Sequence, residues 1–152
     1  MHGWRARLSV AVAAGLVAFS LTAQDQAPTP QTSSPFTYEF YYTVKWGYLE
    51  EFLELYKKNH LPILRTQQER GEILSISAAY PINHASESER WDLRITIVYR
   101  DAIAALHDPS EEPWFKQLFP DQATFKREEQ RRFELLLSHT DIAIAVDDVA
   151  NW

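Results

Sequence analysis

The segment FTYEFYYTVKW, Phe36 to Trp46, determines the fold that the rest of the chain must complete. Large apolar side chains alternate along it with a second set that is more polar, from Phe36 and Thr37 to Val44 and Lys45. Because successive side chains of a strand point to opposite sides of a sheet, this alternation predicts a strand with two unlike faces. Such a strand belongs in a sheet with an apolar layer on one side only.

A helix is predicted after this strand, from Gly47 to about Gly71. Its inward stripe has helical spacing and consists of Leu49, Phe52, Leu53, Tyr56, His60, Ile63 and Leu64. Pro62 lies within this helix, where a proline removes one backbone donor and crowds the carbonyl group four residues earlier. We therefore expect the helix to be kinked or divided near Asn59 to Leu61.

The rest of the domain repeats this order of elements. Alternation and turn residues predict two strands that form a hairpin, Glu72 to Tyr80 and Trp91 to Arg100. A proline-broken helical region starts at Ala102 and resumes from Asp121 to Leu137, with Asp121 as its N-cap, and a fourth strand follows from His139 to Val149. The order predicts an α+β ferredoxin-like βαββαβ sandwich, a four-stranded antiparallel sheet with helices on one face. Right-handed crossovers place the first and third strands in its centre.

The two faces of this sheet are expected to differ. The helices are expected to cover the face with Phe40, Tyr42, Leu93, Ile95, Ile97, Ile142 and Ile144. The opposite face would carry Glu39, Tyr41, Thr43, Lys45, Arg94, Thr96, Val98 and Asp141. This second set is too polar for a core and too aromatic for bare solvent. We therefore predict that a second copy of the chain covers it, which makes the protein a homodimer.

The N-terminal sequence predicts an export signal. Arg5 and Arg7 precede an apolar stretch that ends at Leu21-Thr22-Ala23, the order of a secretory signal peptide over residues 1–23. Residues 24–35 are predicted to be a flexible linker, and residues 36–152 form the single ferredoxin-like domain. The protein is thus predicted to be exported, to the periplasm or the medium, although a leader retained as a membrane anchor is an open alternative.

Composition excludes several classes of partner. The chain has 152 residues, no cysteine and a net charge of −6. Arg5 and Arg7 are the only charged residues of the leader, so cleavage changes the charge to −8. This charge argues against a general binder of nucleic acid or, after signal cleavage, of an anionic membrane. Without cysteine, the exported domain must be stabilised by packing or association rather than by disulfides.

The segment Tyr56-Lys57-Lys58-Asn59-His60-Leu61-Pro62 resembles the His-x-Pro at the end of the first helix in ethyl tert-butyl ether degradation-like proteins. With the element order, it makes Phe36 to about Val149 similar to the dimeric α/β-barrel superfamily. That resemblance implies two ferredoxin-like protomers that pair their sheets around a small-molecule cavity. The haem-degrading and antibiotic-biosynthesis monooxygenases of the superfamily typically have an Asn on the first strand and a Trp/His pair on the second helix. Here that strand has no Asn, and Pro109 separates His107 from Trp114.

Two sets of residues are candidates for chemistry. His60 lies in the middle of the helical stripe and is either a catalytic proton-transfer group or a core histidine held by one hydrogen bond. Glu39, Arg94 and Asp141 are predicted to share the open face, where Arg94 can bind a carboxylate in bidentate geometry. They form either a functional site, with Glu39 and Arg94 catalytic and Tyr41, Lys45 and Asp141 binding a ligand, or an interfacial ion-pair network.

The sequence supports two classes of function. No histidine spacing brings two metal ligands to one face, and no glycine-rich phosphate loop is present, so neither a metal nor another cofactor is predicted. The favoured class is an exported domain that binds a small molecule or simply dimerises. The alternative is a cofactor-independent monooxygenase or isomerase acting on a small aromatic or lactone-like substrate.

Overall fold

The structure is a computed structural model that describes residues 34–83 and 85–152. The predicted signal peptide and all but the last two residues of the predicted linker lie outside these residues.

The described chain folds in the order β-α-β-β-α-β, with additional short helices. The elements are β1 (Phe36–Val44), α1 (Leu49–Leu55), a π-helical turn (Tyr56–His60), α2 (Leu61–Glu69), β2 (Ile73–Ala79), β3 (Leu93–Tyr99), α3 (Ala102–Leu106), a 3₁₀ turn (Pro109–Glu111), α4 (Pro113–Leu118), α5 (Gln122–Glu134), β4 (Leu136–Ile144) and a final 3₁₀ turn (Val149–Asn151). Asp121 caps α5 because its side chain accepts a hydrogen bond from the Thr124 backbone N–H, as predicted.

The four strands form one antiparallel sheet in the order β2-β3-β1-β4. The ferredoxin-like prediction is confirmed, and β1 and β3 are central as expected. Phe40 is paired with Ile95, and Tyr42 with Leu93, so the apolar residues of both central strands share one face. The helices cover that face. The core between them contains Tyr42, Val44, Phe52, Tyr56, Leu93, Ile95 and Ile97.

The first helix is divided where Pro62 requires it. The backbone N–H of Leu61 donates to the carbonyl oxygen of Tyr56, five residues earlier, and this closes the π-helical turn between α1 and α2. Pro62 then occupies the first turn of α2, where its missing donor costs little. The extra residue in the turn lets both helices continue along the sheet despite the proline.

Strand β4 differs from the prediction in position and orientation. It begins at Leu136 rather than His139 and ends at Ile144 rather than Val149. An irregularity in its pairing between Thr43 and Val44 skips Leu137. Ile142 is paired with Glu39, and Ile144 with Thr37, so both isoleucines lie on the open face. Their predicted position under the helices is therefore wrong.

Within the described residues, no helix has both the length and the hydropathy needed to cross a membrane.

Candidate functional site

A cavity of about 180 Å³ lies between the central strands and the helix that carries His60. Its wall has three parts: the strand residues Phe40, Tyr42, Ile97 and Tyr99, the helical residues Tyr56, His60, Ile63, Leu64 and Gln67, and the segment with His107 and Pro109. No Asp, Glu, Lys or Arg is among these residues. The cavity therefore offers aromatic surface with a few neutral polar groups, the usual composition of a small-molecule site.

His60 is held at this cavity by the π-helical turn. Its ring lies 4.9 Å from the ring of Tyr56, measured between centroids, and the two planes are tilted by 54°. Burial, with smaller contributions from the positive charge of Arg132 and from the neighbouring His139, lowers the pKa of His60 to about 3. His60 is therefore neutral near pH 7, so it can donate or accept a hydrogen bond but carries no positive charge.

Three tyrosines supply the remaining polar groups of the cavity. Burial raises the pKa of Tyr99 to about 12, and it raises the pKa values of Tyr42 and Tyr56 even more. All three hydroxyls stay protonated at neutral pH. The Tyr56 hydroxyl is buried near the Tyr42 hydroxyl, which contributes to its raised pKa, but it makes no well-aligned hydrogen bond with a described residue. A buried donor that is poorly satisfied is costly, and it is a place where a bound molecule gains affinity.

Arg132 is a buried cation close to the ring of Tyr56. Its guanidinium binds Glu129 in bidentate geometry, with Nε–Oε1 and Nη2–Oε2 distances of 3.0 and 2.7 Å. It also lies 5.7 Å from the centre of the Tyr56 ring. Its positive charge contributes to the lowered pKa values of His60 and His139.

His139 and Asp141 form a pair beside the cavity, on the helix face of the sheet. The His139 ring stacks on Tyr42 with 4.4 Å between centroids, and its Nε2 atom lies 2.9 Å from Asp141 Oδ1. Burial lowers the pKa of His139, while the negative charge of Asp141 opposes that shift. Asp141 was predicted to share the open face with Arg94, and this placement is wrong. Asp141 is paired with Phe40 because the irregularity near Thr43 inverts the expected orientation of β4.

The open face carries a hydrogen-bonded cluster in the two central strands. The Tyr41 hydroxyl donates to Glu39 Oε2 at 2.6 Å, and Arg94 Nη1 lies 3.4 Å from Glu39 Oε1. The bond to Glu39 raises the pKa of Tyr41. Arg94 Nε is buried and has no partner in the described chain. Glu39, Tyr41 and Arg94 are therefore brought together as predicted, and Arg94 has unused donor capacity.

The predicted catalytic residues do not form one site. His60 lies on the helix face, whereas Glu39 and Arg94 lie on the open face, so the sheet separates them. Lys45 lies beyond the end of β1, where its ammonium group donates to the carbonyl oxygen of Glu134 at 2.5 Å. It thus binds the C-terminal turn of α5 and does not belong to the set on the open face, which corrects its predicted place.

Sequence reasoning missed several residues of the cavity. Tyr56 was interpreted as core, and its helical spacing could not show that its hydroxyl lacks a partner. His107 lines the cavity, and its Nδ1 and Nε2 atoms lie 3.5 Å from Glu72 and 3.3 Å from Glu112. Gln67 is buried beside them, and no sequence signal distinguished it. In the part of the chain that the structure describes, no three acidic or histidine side chains cluster as a metal site would require.

Solved structures show the same fold at low sequence identity. A hypothetical protein of Arabidopsis thaliana has a TM-score of 0.50 and 9% identity, over 78% of this chain and 93% of that one. The protein Rv0793 of Mycobacterium tuberculosis has a TM-score of 0.49 and 15% identity, over 77% and 99%. SnoaB, a cofactor-independent oxygenase from Streptomyces nogalater, has a TM-score of 0.45 and 10% identity, over 77% and 97%.

The similarity to the Arabidopsis thaliana protein shows the ferredoxin-like fold alone. No family model matches the chain, and no curated protein matches it. The assignment of a role therefore depends on the site itself.

Proposed function

We propose that the protein is an exported, homodimeric domain that binds a small, neutral, ring-containing molecule in the His60 cavity. The observation that carries this proposal is the buried Tyr56 hydroxyl, which makes no well-aligned hydrogen bond with a described residue and lies in a wall of aromatic and aliphatic side chains. A ligand oxygen that accepts from this hydroxyl removes the cost of an unsatisfied donor. The cavity favours an uncharged ligand because its wall has no Asp, Glu, Lys or Arg to compensate for the lost hydration of an ion.

The dimensions of the cavity limit the ligand to about one ring. Pockets for drug-sized molecules have volumes of about 300–1,000 Å³, whereas this cavity has about 180 Å³. The neutral imidazole of His60 and the protonated hydroxyl of Tyr99 add one donor or acceptor each at the edge of such a ring. A phenol or a small lactone has the matching shape and polarity.

The homodimer is proposed from the open face. Val98, Ile142 and Ile144 lie there beside the Glu39–Arg94 cluster, and Ile142 is 43% exposed. A two-fold related copy of this face removes its apolar atoms from water and offers Arg94 a second carboxylate. Burial of the aliphatic and aromatic atoms supplies most of the association energy, since an exposed ion pair contributes less than about 1 kcal/mol.

Export is proposed from the N-terminal sequence alone. Mass spectrometry of the protein recovered from its native host should show a chain that begins close to Gln24. An intact chain from Met1 in the cytoplasm would contradict export.

The ligand proposal is tested by calorimetric titration with 4-methylphenol. We expect saturable binding that Tyr56→Phe weakens several-fold. Ile63→Phe should abolish binding, because the phenylalanine ring fills the cavity. Tyr48→Phe is the matched control, since Tyr48 is exposed and does not line the cavity. Circular dichroism verifies the fold of each variant. Equal affinity in the wild type, Tyr56→Phe and Ile63→Phe would show that 4-methylphenol does not bind in this cavity.

Catalysis is a second candidate function, and the neutral imidazole of His60 favours it. A neutral histidine enclosed with three protonated tyrosines can move a proton within a bound lactone or phenol, as a cofactor-independent isomerase or monooxygenase requires. The pKa near 3 makes His60 a weak base, which is why binding is the first proposal. Isomerisation of α-angelica lactone, followed by absorbance, tests the alternative. Catalysis that is lost in His60→Gln would support it, and the absence of any catalysis by the wild type would leave binding as the function.

A further inference from the structure

A second groove, of about 240 Å³, lies between the divided first helix and the edge strand β2. Its floor is apolar and includes Leu53, Leu61, Ile76, Leu93 and Ile95. Tyr56 lines both this groove and the His60 cavity. The groove is open along β2, where Ser77 and Ala78 are exposed and leave room for a ligand.

Two cations line this groove, and neither contacts a carboxylate in the described part of the chain. They are Lys57 and Arg65. Among the described residues, the side chain of Arg65 makes one hydrogen bond, from Nη1 to Gln68 Oε1 at 3.2 Å. Lys58, the neighbour of Lys57, is instead bound to Glu128 at 2.6 Å. No Asp or Glu is among the groove residues. Two unpaired cations beside apolar surface are notable in a chain with a net charge of −6.

Helical spacing and the π-helical turn together place the two cations at one groove. Residues eight positions apart in a regular α-helix differ in direction by about 80°. The turn from Tyr56 to His60 is wider than an α-helical turn and compensates for much of that angle. Lys57 and Arg65 therefore return to the same side of the helix, with Leu61 between them.

We propose that this groove is a separate binding site for an organic monocarboxylate with an apolar body of about one ring and a short chain. The carboxylate binds between Lys57 and Arg65, whose free guanidinium donors match the geometry of two carboxylate oxygens. The apolar body lies on Leu61, Ile76 and Ile95. The site does not depend on the His60 cavity, which has no cation in its wall and takes a neutral molecule.

Calorimetric titration with 4-phenylbutyrate tests this site, with 4-phenylbutanamide as the uncharged analogue. We expect 4-phenylbutyrate to bind the wild-type protein at least tenfold more tightly than the amide. The double variant Lys57→Glu/Arg65→Glu should lose at least tenfold in affinity for the carboxylate and show no such loss for the amide. The matched control is Lys126→Glu, which reverses an exposed charge on α5 away from the groove.

Two further variants separate this site from the His60 cavity. Ala78→Phe narrows the groove from the edge strand, so it should weaken 4-phenylbutyrate binding without changing the affinity for 4-methylphenol. Ile63→Phe fills only the cavity, so it should abolish 4-methylphenol binding without changing the affinity for 4-phenylbutyrate. Equal binding of the carboxylate and the amide, or an equal loss in Lys126→Glu and in the double variant, would overturn the proposal. So would carboxylate binding that Ile63→Phe abolishes.

Discussion

The two faces of the sheet are made by the same strands but are stabilised in different ways. On the helix face, Leu93, Ile95 and Ile97 are almost fully buried, and the protomer covers them with its own helices. On the open face, Arg94, Thr96 and Val98 alternate with them and are only partly buried. The comparison teaches that one face is complete within a single chain, whereas the other has apolar atoms and an unpaired arginine donor that a second molecule could use.

The largest expected effect on stability comes from truncating a buried side chain on the helix face. Leu93→Ala should lower the free energy of unfolding by about 2–5 kcal/mol, because it removes a fully buried side chain and leaves a cavity. The matched change on the open face, Thr96→Ala, should cost less than about 1 kcal/mol. Urea denaturation of both variants measures the difference. Similar losses would mean that the two faces are equally buried.

The second effect concerns the open face. Arg94→Glu should raise the dissociation constant of the proposed dimer by about 100-fold, since two-fold symmetry repeats each repulsion with Glu39 and about 1.4 kcal/mol corresponds to a factor of ten. Sedimentation velocity over a range of concentrations measures it. Arg127→Glu, an exposed change on α5, should leave the constant unaltered. A wild-type protein that stays monomeric at tens of micromolar would remove the dimer altogether.

The third effect is a pH dependence of the helix face. His60 has a pKa of about 3 in the folded protein and about 6.5 when unfolded, so the unfolded chain binds the extra proton between these values. Stability contributed by neutral His60 is therefore present above pH 6.5 and is lost as the pH falls towards 3. We expect a loss of about 2 kcal/mol between pH 7 and pH 5.

The variant His60→Gln isolates this contribution from the other titrating groups. It should have a smaller loss of unfolding free energy between pH 7 and pH 5 than the wild type, in otherwise identical urea titrations. If both proteins lose stability to the same extent, His60 is not held neutral by its surroundings.

The smallest effect belongs to Tyr56. Tyr56→Phe should raise the free energy of unfolding by about 1 kcal/mol, because it removes a buried hydroxyl that lacks a well-aligned partner and keeps the ring. Thermal denaturation of the ligand-free protein measures the change, with Tyr48→Phe as the exposed control. A destabilised Tyr56→Phe variant would indicate that the hydroxyl is hydrogen-bonded in the folded protein.

Local sequence was sufficient for the central strands and the first helix. Alternation in β1 and β3 predicted which of their residues face the helices, because both strands are paired regularly over most of their length. Pro62 predicted the division of the helix, since its backbone chemistry acts locally.

The same reasoning failed for β4 because its apolar residues do not face the core. Ile142 and Ile144 were assigned to the helix face on the assumption that isoleucine in a strand is covered by its own chain. The pairing irregularity at Thr43 and Val44 places them on the open face instead. A shift of one residue reverses a strand, and no local pattern in the sequence from His139 to Ile144 reveals it.

The cavities were beyond sequence reasoning for a different reason. The stripe from Tyr56 to Leu64 predicted burial, but whether the Tyr56 hydroxyl has a partner depends on residues distant in the chain. Similarly, the pKa of His60 depends on Arg132 and His139, more than seventy residues away. Function in this domain is set by tertiary contacts that a local pattern does not contain.

The π-helical turn has a consequence for how this protein diverges from its relatives. It contains one residue more than an α-helical turn, so loss of a single codon between Tyr56 and His60 would leave a regular α-helix in which the faces of α1 and α2 are still aligned. Lys57 and Arg65 would then be seven positions apart and would differ in direction by about 20°, so they would stay on one side of the helix. Only the position of His60 relative to Tyr56 would change. A single codon can therefore alter the His60 cavity during evolution while the groove is kept.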